Sequence, residues 1–214
     1  MGISQSSVVF RPDAPITDMR ALVSALFGAP ATPVTPPQYQ SLDTRFPENV
    51  IVEEFGDVVV VSNFDFVWKL LAGTSDAEPS IWAALGSPAQ WMAFCYMNSG
   101  GTYGYALYDA DRLTRRRVQT TDLPGEPPLV EHGEPLHVEQ RWLDAPWAME
   151  GDDPDDPDDQ VKVFTHPDTG AVTTESYLTA RMLSDLSTQL WGMCPWEWPT
   201  RPRMHFFEIS SLLR

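Results

Sequence analysis

The sequence predicts an α+β fold, in which an antiparallel sheet of meander and hairpins packs against a few helices. Short runs of β-branched and aromatic residues follow one another in groups, separated by turn residues. Two segments instead have hydrophobic residues at helical spacing. Strands and helices do not alternate regularly, which disfavours a parallel sheet. Because 214 residues fit one domain, we expect a single α+β domain over residues 1–214.

The N-terminal part of the chain is predicted to form a strand and a helix. "SSVVF" at 6–10 is typical of a short strand, and "ITDMRALVSALFG" at 16–28 has the apolar spacing of a helix. Thr17 is predicted to cap this helix at its N-terminus and Gly28 to end it. A Pro-rich stretch near 29–40 shows no periodicity and is predicted to be a connector.

A hairpin and two short helices are predicted next. Residues 49–64 contain two β-branched runs on either side of Gly56 and Asp57, a pair that suits a tight turn. A short helix is predicted to follow Asn63, its N-cap, and "PSIWAALG" at 79–86 predicts one or two further helical turns.

The middle of the chain gives the clearest strand pattern. "WMAFCYM" at 91–97, "TYGYALY" at 102–108 and "LTRRRVQ" at 113–119 are separated by "NSGG" and "DADR", which are turn sequences. They predict an antiparallel meander, and "PLHVEQRW" at 135–142 is predicted to be its fourth strand.

The C-terminal part is predicted to form a hairpin, a long helix and a last strand. The hairpin covers 161–174, and "ESYLTARMLSDLSTQLWG" at 175–192 has the strongest helical periodicity in the chain. "MCPWEWPTRPR" at 193–203 is predicted to be irregular, and "MHFFEIS" at 204–210 is a strand candidate.

The charge of the chain narrows its possible partners. Thirty acidic and 14 basic residues give a formal net charge of −16. Such a field repels nucleic acid and anionic membranes, whose binding needs a basic surface, and it attracts basic proteins or cations. A role in solubility alone is the alternative.

The most acidic segment is "GDDPDDPDDQ" at 151–160. In an EF-hand register that starts at Asp153, Pro157 stands where a ligand is required and Asp158 where Gly is required, so no calcium loop is predicted. A solvated loop, weak and exchangeable Ca²⁺ or Mg²⁺ binding, and an acidic surface for a basic protein remain as alternatives. The aspartates that we assign to a partner surface are Asp152, Asp153, Asp155, Asp156, Asp158 and Asp159.

Two tryptophans complete the predicted partner site. Trp196 and Trp198 lie two residues apart, and Arg201 and Arg203 follow them. If exposed, these side chains form an interface anchor or a ligand platform, because Trp and Arg dominate binding hot spots. If buried, the segment is a strap over the core, stiffened by its prolines.

The chain lacks the common signatures of catalysis. No G-x-S-x-G, P-loop, dinucleotide-binding or zinc spacing occurs, so no catalytic residue, cofactor or metal site is predicted and an enzyme is disfavoured. A Cys–His pairing stays open, because its partners can be distant in sequence. Cys95 and Cys194 are predicted to be reduced. His166 is predicted to lie in a turn, and His205 is predicted to be packed or exposed and not catalytic. In "RRR", Arg115 and Arg117 share a strand face and are predicted to pair with carboxylates.

One stretch, about residues 103–140, resembles a pattern in bacterial families of uncharacterised function. A strand leads through an acidic turn to Leu and Arg, and a Gly-Glu-Pro-Leu segment ending in Glu follows. The matching positions are Tyr105, Asp109, Leu113, Arg115, Gly133, Glu134, Pro135, Leu136 and Glu139. The resemblance implies a bacterial cytosolic α+β protein and brings no activity with it. Some such proteins are similar to immunity proteins encoded beside secreted toxins.

The sequence thus favours an acidic protein-interaction module. We expect a cytoplasmic location, since no secretion signal or apolar run of membrane-spanning length is evident. The expected partner is a basic protein, for example a toxin or nuclease that an immunity protein neutralises. The alternative is an enzyme or small-ligand-binding protein with an aromatic-lined pocket.

Overall fold

A computed structural model describes residues 4–36, 42–73, 79–120, 129–151, 160–197 and 200–210. The strands are β1 Ser4–Phe10, β2 Ala31–Pro33, β3 Asn49–Phe55, β4 Val58–Ser62, β5 Gln90–Met97, β6 Thr102–Asp109, β7 Arg112–Thr120, β8 Leu129–His132, β9 Trp147–Glu150, β10 Val161–Thr165, β11 Val172–Thr174 and β12 Arg203–Ile209. The helices are α1 Met19–Phe27, α2 Phe64–Ala72, α3 Pro79–Ala84, α4 His137–Leu143 and α5 Leu178–Trp191, with 3₁₀ turns at Glu175–Tyr177 and Pro195–Glu197.

The strands form two antiparallel sheets. The larger sheet has nine strands in the order β2-β12-β3-β4-β1-β5-β6-β7-β8, and the smaller has three in the order β11-β10-β9. Sequential neighbours pair in the β3–β4 hairpin, the β5-β6-β7 meander and the β10–β11 hairpin, as the sequence predicts. The α+β prediction is confirmed.

The nine-stranded sheet has a buried layer on each side. On the first face, Val8 and Val61 pack with apolar residues of α1 and α2 such as Leu22 and Leu71. On the second face, their chain neighbours belong to a separate cluster, whose members include Val9, Val60, Trp142 of α4, Phe164 of β10 and Met182, Leu183 and Leu186 of α5. This division follows from the alternation of side chains along a strand. The described helices are too short or too polar to span a membrane.

Two predictions about the N-terminal half need correction. Asp18, and not Thr17, caps α1, because its carboxylate accepts a hydrogen bond from the Ala21 N–H at 2.9 Å. The connector near 29–40 contains strand β2, in which Pro33 lies opposite Phe207 of β12. A proline is tolerated there because β2 is at the edge of the sheet, where a missing N–H donor breaks no ladder.

The predicted fourth strand at 135–142 is wrong, because α4 occupies most of this segment. Leu136, Val138 and Trp142 suggest an alternating pattern, but the two fully buried side chains of the helix are Glu139 and Trp142, three residues apart. The strand that follows β7 is instead β8, which the sequence did not predict.

Candidate functional sites

A buried ionic network joins β7, β8 and α4. The Arg115 Nε donates to both carboxylate oxygens of Glu139, at 3.1 and 2.8 Å, and a terminal nitrogen lies 2.5 Å from Glu131. Arg117 donates to the same Glu131 oxygen at 2.7 Å and to the Thr179 hydroxyl of α5 at 2.9 Å. The prediction that Arg115 and Arg117 pair with carboxylates is confirmed.

The backbone around Gly133 allows this network to form. Gly133 has φ +75°, and a Cβ there would lie only 2.1 Å from the Thr114 carbonyl oxygen. Only a glycine therefore lets the segment before α4 approach β7 so closely. The approach brings the carbonyl oxygens of His132 and Gly133 within hydrogen-bonding distance of Arg115, at 3.3 and 2.8 Å.

Most side chains of the network are shielded from solvent. Arg115 and Glu139 are 1% and 0% exposed, and the Tyr105 hydroxyl beside them is also buried. Burial, and then the Glu139 carboxylate, raise the pKa of Tyr105 well above its ordinary value. Burial alone would raise the pKa of Glu131. Hydrogen bonds and charges from Arg115 and Arg117 outweigh burial, so the pKa of Glu131 is lower than its ordinary value. We interpret the network as structural, because no ligand can reach its centre.

A cleft of about 530 Å³ lies on the second face of the large sheet. We call it the Glu53 cleft, after the carboxyl of β3 that lines it. The described residues that line it are Ser4, Gln5, Ser6, Leu42, Asp43, Thr44, Arg45, Ile51, Glu53, Ser62, Phe64, Met97, Ser99, Trp196 and Met204. It therefore combines residues of five strands with the first residue of α2, the loop before β3, the β5–β6 turn and the 3₁₀ turn after α5.

Glu53 is a buried acid that has no cationic partner among the described residues. Its side chain is 3% exposed, and the Gln5 amide donates to its Oε2 over a long 3.4 Å. No described residue forms a hydrogen bond with its Oε1. Burial raises the pKa of Glu53 to about 7, because a charged carboxylate is poorly solvated there. Sequence patterns did not indicate this residue, since Glu53 looks like one member of an ordinary strand.

The other charged side chains of the Glu53 cleft neutralise each other. Arg45 donates from Nε and a terminal nitrogen to Asp43, at 2.9, 3.2 and 2.7 Å. These hydrogen bonds lower the pKa of Asp43. Glu53 is thus the unbalanced ionisable group among the described residues of the cleft.

Trp196 of the predicted partner site is buried. It is 6% exposed, stacks on Tyr96 with ring centroids 4.7 Å apart and packs at a tilt against Phe94 at 5.3 Å. This position corresponds to the strap that we considered as an alternative to an exposed anchor. Trp198 and all six aspartates assigned to the partner site lie outside the described residues. Their assignment to a partner surface stays a prediction.

A second cleft of about 520 Å³ contains an acid–histidine pair. The His205 Nε2 lies 2.7 Å from the Glu54 Oε1, and the Arg203 Nε lies 3.7 Å from the same oxygen. Glu54 follows Glu53 on β3, so the two carboxyls lie on opposite faces of the sheet. The pair links β3 to β12 and is partly exposed.

The three-stranded sheet carries an exposed apolar surface that the sequence did not predict. We call Trp147 and Met149 of β9 the apolar sheet surface, because their pairing with Phe164 and Lys162 places them on one face of the sheet. Val161 of β10 and Val172 of β11 lie on the other face, and all four side chains are about half exposed. They are four of the seven large hydrophobic side chains that are exposed among the described residues. Lys162 lies over the Trp147 ring, with its Nζ 4.4 Å from the centroid.

The cysteines do not have the environment of a nucleophile. Cys95 and Cys194 are both free, as predicted, and the structure shows that both are buried. Burial raises the pKa of Cys95 to about 12 and also raises that of Cys194, whereas a reactive thiol needs a lowered pKa. In the described ranges, no three His, Cys, Asp or Glu side chains are grouped to hold a metal ion.

His166 lies in the β10–β11 turn, as the sequence predicts. Its Nδ1 accepts hydrogen bonds from the N–H groups of Asp168 and Thr169, at 3.3 and 3.4 Å, and its ring meets the Trp142 ring edge-on.

Comparison of the chain with protein-family models, with curated proteins and with solved structures found no match.

Proposed function

We propose that this protein binds a basic protein partner through the apolar sheet surface and the acidic segment beside it. The observation that carries the proposal is their adjacency: β9 ends at Glu150, β10 begins at Val161, and the residues 152–159 between them include six aspartates. Residues 147–162 thus contain seven acidic side chains and one basic one, next to exposed Trp147. Exposed apolar side chains next to a cluster of charges of one sign are typical of surfaces that bind a protein of the opposite charge.

The position of β9 supports this proposal. It lies at the edge of its sheet, where it pairs with β10 alone among the described strands. Exposed edge strands usually carry charges or proline, which prevent pairing with other chains. β9 instead presents Trp147 and Met149, so its sequence does not protect the edge. A partner strand with apolar and basic side chains fits this edge.

The net charge supports the partner's chemistry. A chain with a net charge of −16 repels acidic proteins at long range and accelerates its encounter with basic ones. In the finer form of the proposal, the partner is a basic toxin or nuclease, and this protein is a cytoplasmic bacterial immunity protein that neutralises it. The support for this form is the charge together with the resemblance of residues 103–140.

Association kinetics test the electrostatic part of the proposal. The partner is identified by cross-linking in the native host, and its association rate is measured as a function of salt. Replacing Asp152, Asp153 and Asp155 by Asn is expected to slow association at low salt. The matched control neutralises exposed acids elsewhere, with Asp13→Asn, Asp111→Asn and Glu134→Gln. Equal rates for the two variants would contradict a local role of the acidic segment.

Dissociation kinetics test the apolar part. Trp147→Ser is expected to speed dissociation of the complex, because an aromatic anchor at an interface loses its packing. Phe46→Ser is the matched control, since Phe46 and Trp147 are both 55% exposed and Phe46 lies outside the apolar sheet surface. If both variants dissociate at the wild-type rate, the apolar sheet surface is not the binding site.

A further inference from the structure

We propose that the Glu53 cleft binds a small organic cation, a primary ammonium that carries a short hydrocarbon chain. In this site the ammonium group donates hydrogen bonds to the Glu53 carboxylate, and the hydrocarbon chain lies against the apolar walls of the cleft. The site is separate from the apolar sheet surface. The proposal therefore does not depend on whether the protein binds a basic partner.

The first step of the argument is the state of Glu53. A carboxyl that is 3% exposed either binds a proton or requires a cation and hydrogen-bond donors. The long contact from Gln5 to Oε2 supplies one weak donor, and in the part of the chain that the structure describes Oε1 receives none. The group therefore has unused acceptor capacity beside a cleft large enough for a small molecule.

The second step is the charge of the cleft. The cationic side chain of its described lining, Arg45, is already held by Asp43 through three hydrogen bonds, so that pair contributes no net charge. Ionised Glu53 then leaves the described lining with one negative charge. Together with the net charge of −16, this favours a cation over an anion.

The third step distinguishes an organic cation from a metal ion. Calcium and magnesium ions need several oxygen ligands around one point, and the described residues contain no group of three His, Cys, Asp or Glu side chains placed to hold a metal ion. The lining instead offers apolar and sulfur-containing surface from Ile51, Met97, Trp196 and Met204. Met204 lies directly opposite Glu53 on the neighbouring strand β12, so apolar surface adjoins the carboxyl. This combination suits an amphipathic ammonium ion.

Titration calorimetry with n-butylammonium chloride tests the proposal. The full chain is used at pH 8 in a phosphate buffer free of amines, and 1-butanol serves as the neutral ligand of similar shape. We expect saturable binding of n-butylammonium at one site and binding of 1-butanol at least about tenfold weaker, the difference that roughly one pKa unit of interaction represents. Absence of saturable n-butylammonium binding, or equal affinity for both molecules, would overturn the proposal.

Two variants locate the site. Glu53→Gln is expected to weaken n-butylammonium binding at least about tenfold, because it removes the charge and keeps the shape. Glu54→Gln is the matched control, since it makes the same change one residue away on the opposite face of β3. Equal losses in both variants, or unchanged binding in Glu53→Gln, would overturn the assignment to this cleft.

The pH dependence of the wild-type protein provides a test that needs no variant. Among the described residues, Asp43 and Arg45 are the other acidic and basic groups that line the cleft, and the pKa of Asp43 is lowered, away from neutral pH. With the pKa of Glu53 at about 7, its ionised fraction rises from about one tenth at pH 6 to about nine tenths at pH 8. Affinity for n-butylammonium is therefore expected to rise about ninefold across this range, and a pH-independent affinity would overturn the proposal.

Discussion

Arg115 and Glu139 form a fully buried ion pair that connects the third strand of the meander to α4. The Arg115 Nε lies 2.8 and 3.1 Å from the two Glu139 oxygens, and a terminal nitrogen lies 2.8 Å from one of them. Removing one member of such a pair leaves the other charge buried without a partner, which costs more than the pair itself contributes. The pair therefore fixes α4 on the sheet.

We expect Glu139→Gln to lower the free energy of unfolding by about 3 kcal/mol, because the buried Arg115 charge is then balanced only by the partly exposed Glu131, which Arg117 also binds. Urea denaturation followed by circular dichroism measures this change. The control is Glu134→Gln, an exposed position in the segment before α4, where a change within about 0.5 kcal/mol is expected. A similarly small effect of Glu139→Gln would show that the buried pair is not needed.

Gly133→Ala tests the close approach of the segment before α4 to β7. The added Cβ would lie 2.1 Å from the Thr114 carbonyl oxygen, so the backbone has to move. We expect unfolding free energy to fall by more than about 2 kcal/mol, from overpacking and from the positive φ. Gly170→Ala isolates the second effect, because φ is +67° there and nothing lies within 4 Å of the new Cβ. That control is expected to lose only about 1 kcal/mol.

If the two glycine variants lose the same stability, then steric contact at Gly133 contributes nothing beyond backbone strain. The comparison is direct, because both substitutions are chemically identical and both positions have similar backbone conformations. Denaturant midpoints measured side by side, with unchanged slopes, provide the readout.

The sequence predicted those strands and helices in which the apolar residues recur at the positions that are buried in the fold. The β3–β4 hairpin, the meander and α5 have clear patterns of apolar residues, and the structure contains all of them. In α4 the pattern misleads, because a charged residue, Glu139, occupies a core position that helical periodicity would assign to an apolar side chain. The pairing that makes this burial possible lies 24 residues away, at Arg115.

The candidate sites depend on contacts that a single sequence does not reveal. Glu53 is an ordinary strand residue by pattern, and its isolation results from the packing of Gln5, Met204 and Trp196 around one cleft. Likewise, Trp147 lies in a strand of only four residues whose side chains are all exposed, so no alternation marks it. The pairing of Arg115 and Arg117 with carboxylates was predictable, because strand geometry places both side chains on one face.

Both cysteines are expected to be free thiols that react slowly in the folded protein. Cys95 is fully buried, and its pKa of about 12 leaves almost no thiolate at pH 8. A disulfide-exchange reagent should therefore modify two thiols per chain rapidly in denaturant and much more slowly in buffer. Finding no free thiol in denaturant under non-reducing conditions would contradict the predicted reduced state. Rapid reaction of Cys95 in the native protein would contradict its burial.

The isolated carboxyl of Glu53 is expected to make stability depend on pH. Burial raises its pKa in the folded chain from 4.5 to about 7, so the folded state binds a proton more tightly than the unfolded state does. The stabilisation from this group is therefore fully present below pH 4.5 and is lost as the pH rises to 7. A shift of this size corresponds to about 3 kcal/mol.

Because other groups titrate in the same range, the useful quantity is the difference in unfolding free energy between Glu53→Gln and the wild type. Glutamine is neutral at every pH. The unfolding free energy of the variant, relative to that of the wild type, is therefore expected to increase by about 3 kcal/mol between pH 4.5 and pH 8. Glu208→Gln, an exposed position on β12, is the control, with an expected effect within about 0.5 kcal/mol at both pH values. Urea denaturation at each pH measures these differences. If the Glu53→Gln difference stays constant or falls as the pH rises, then a cationic group balances Glu53 in the folded protein, and the carboxyl is not isolated.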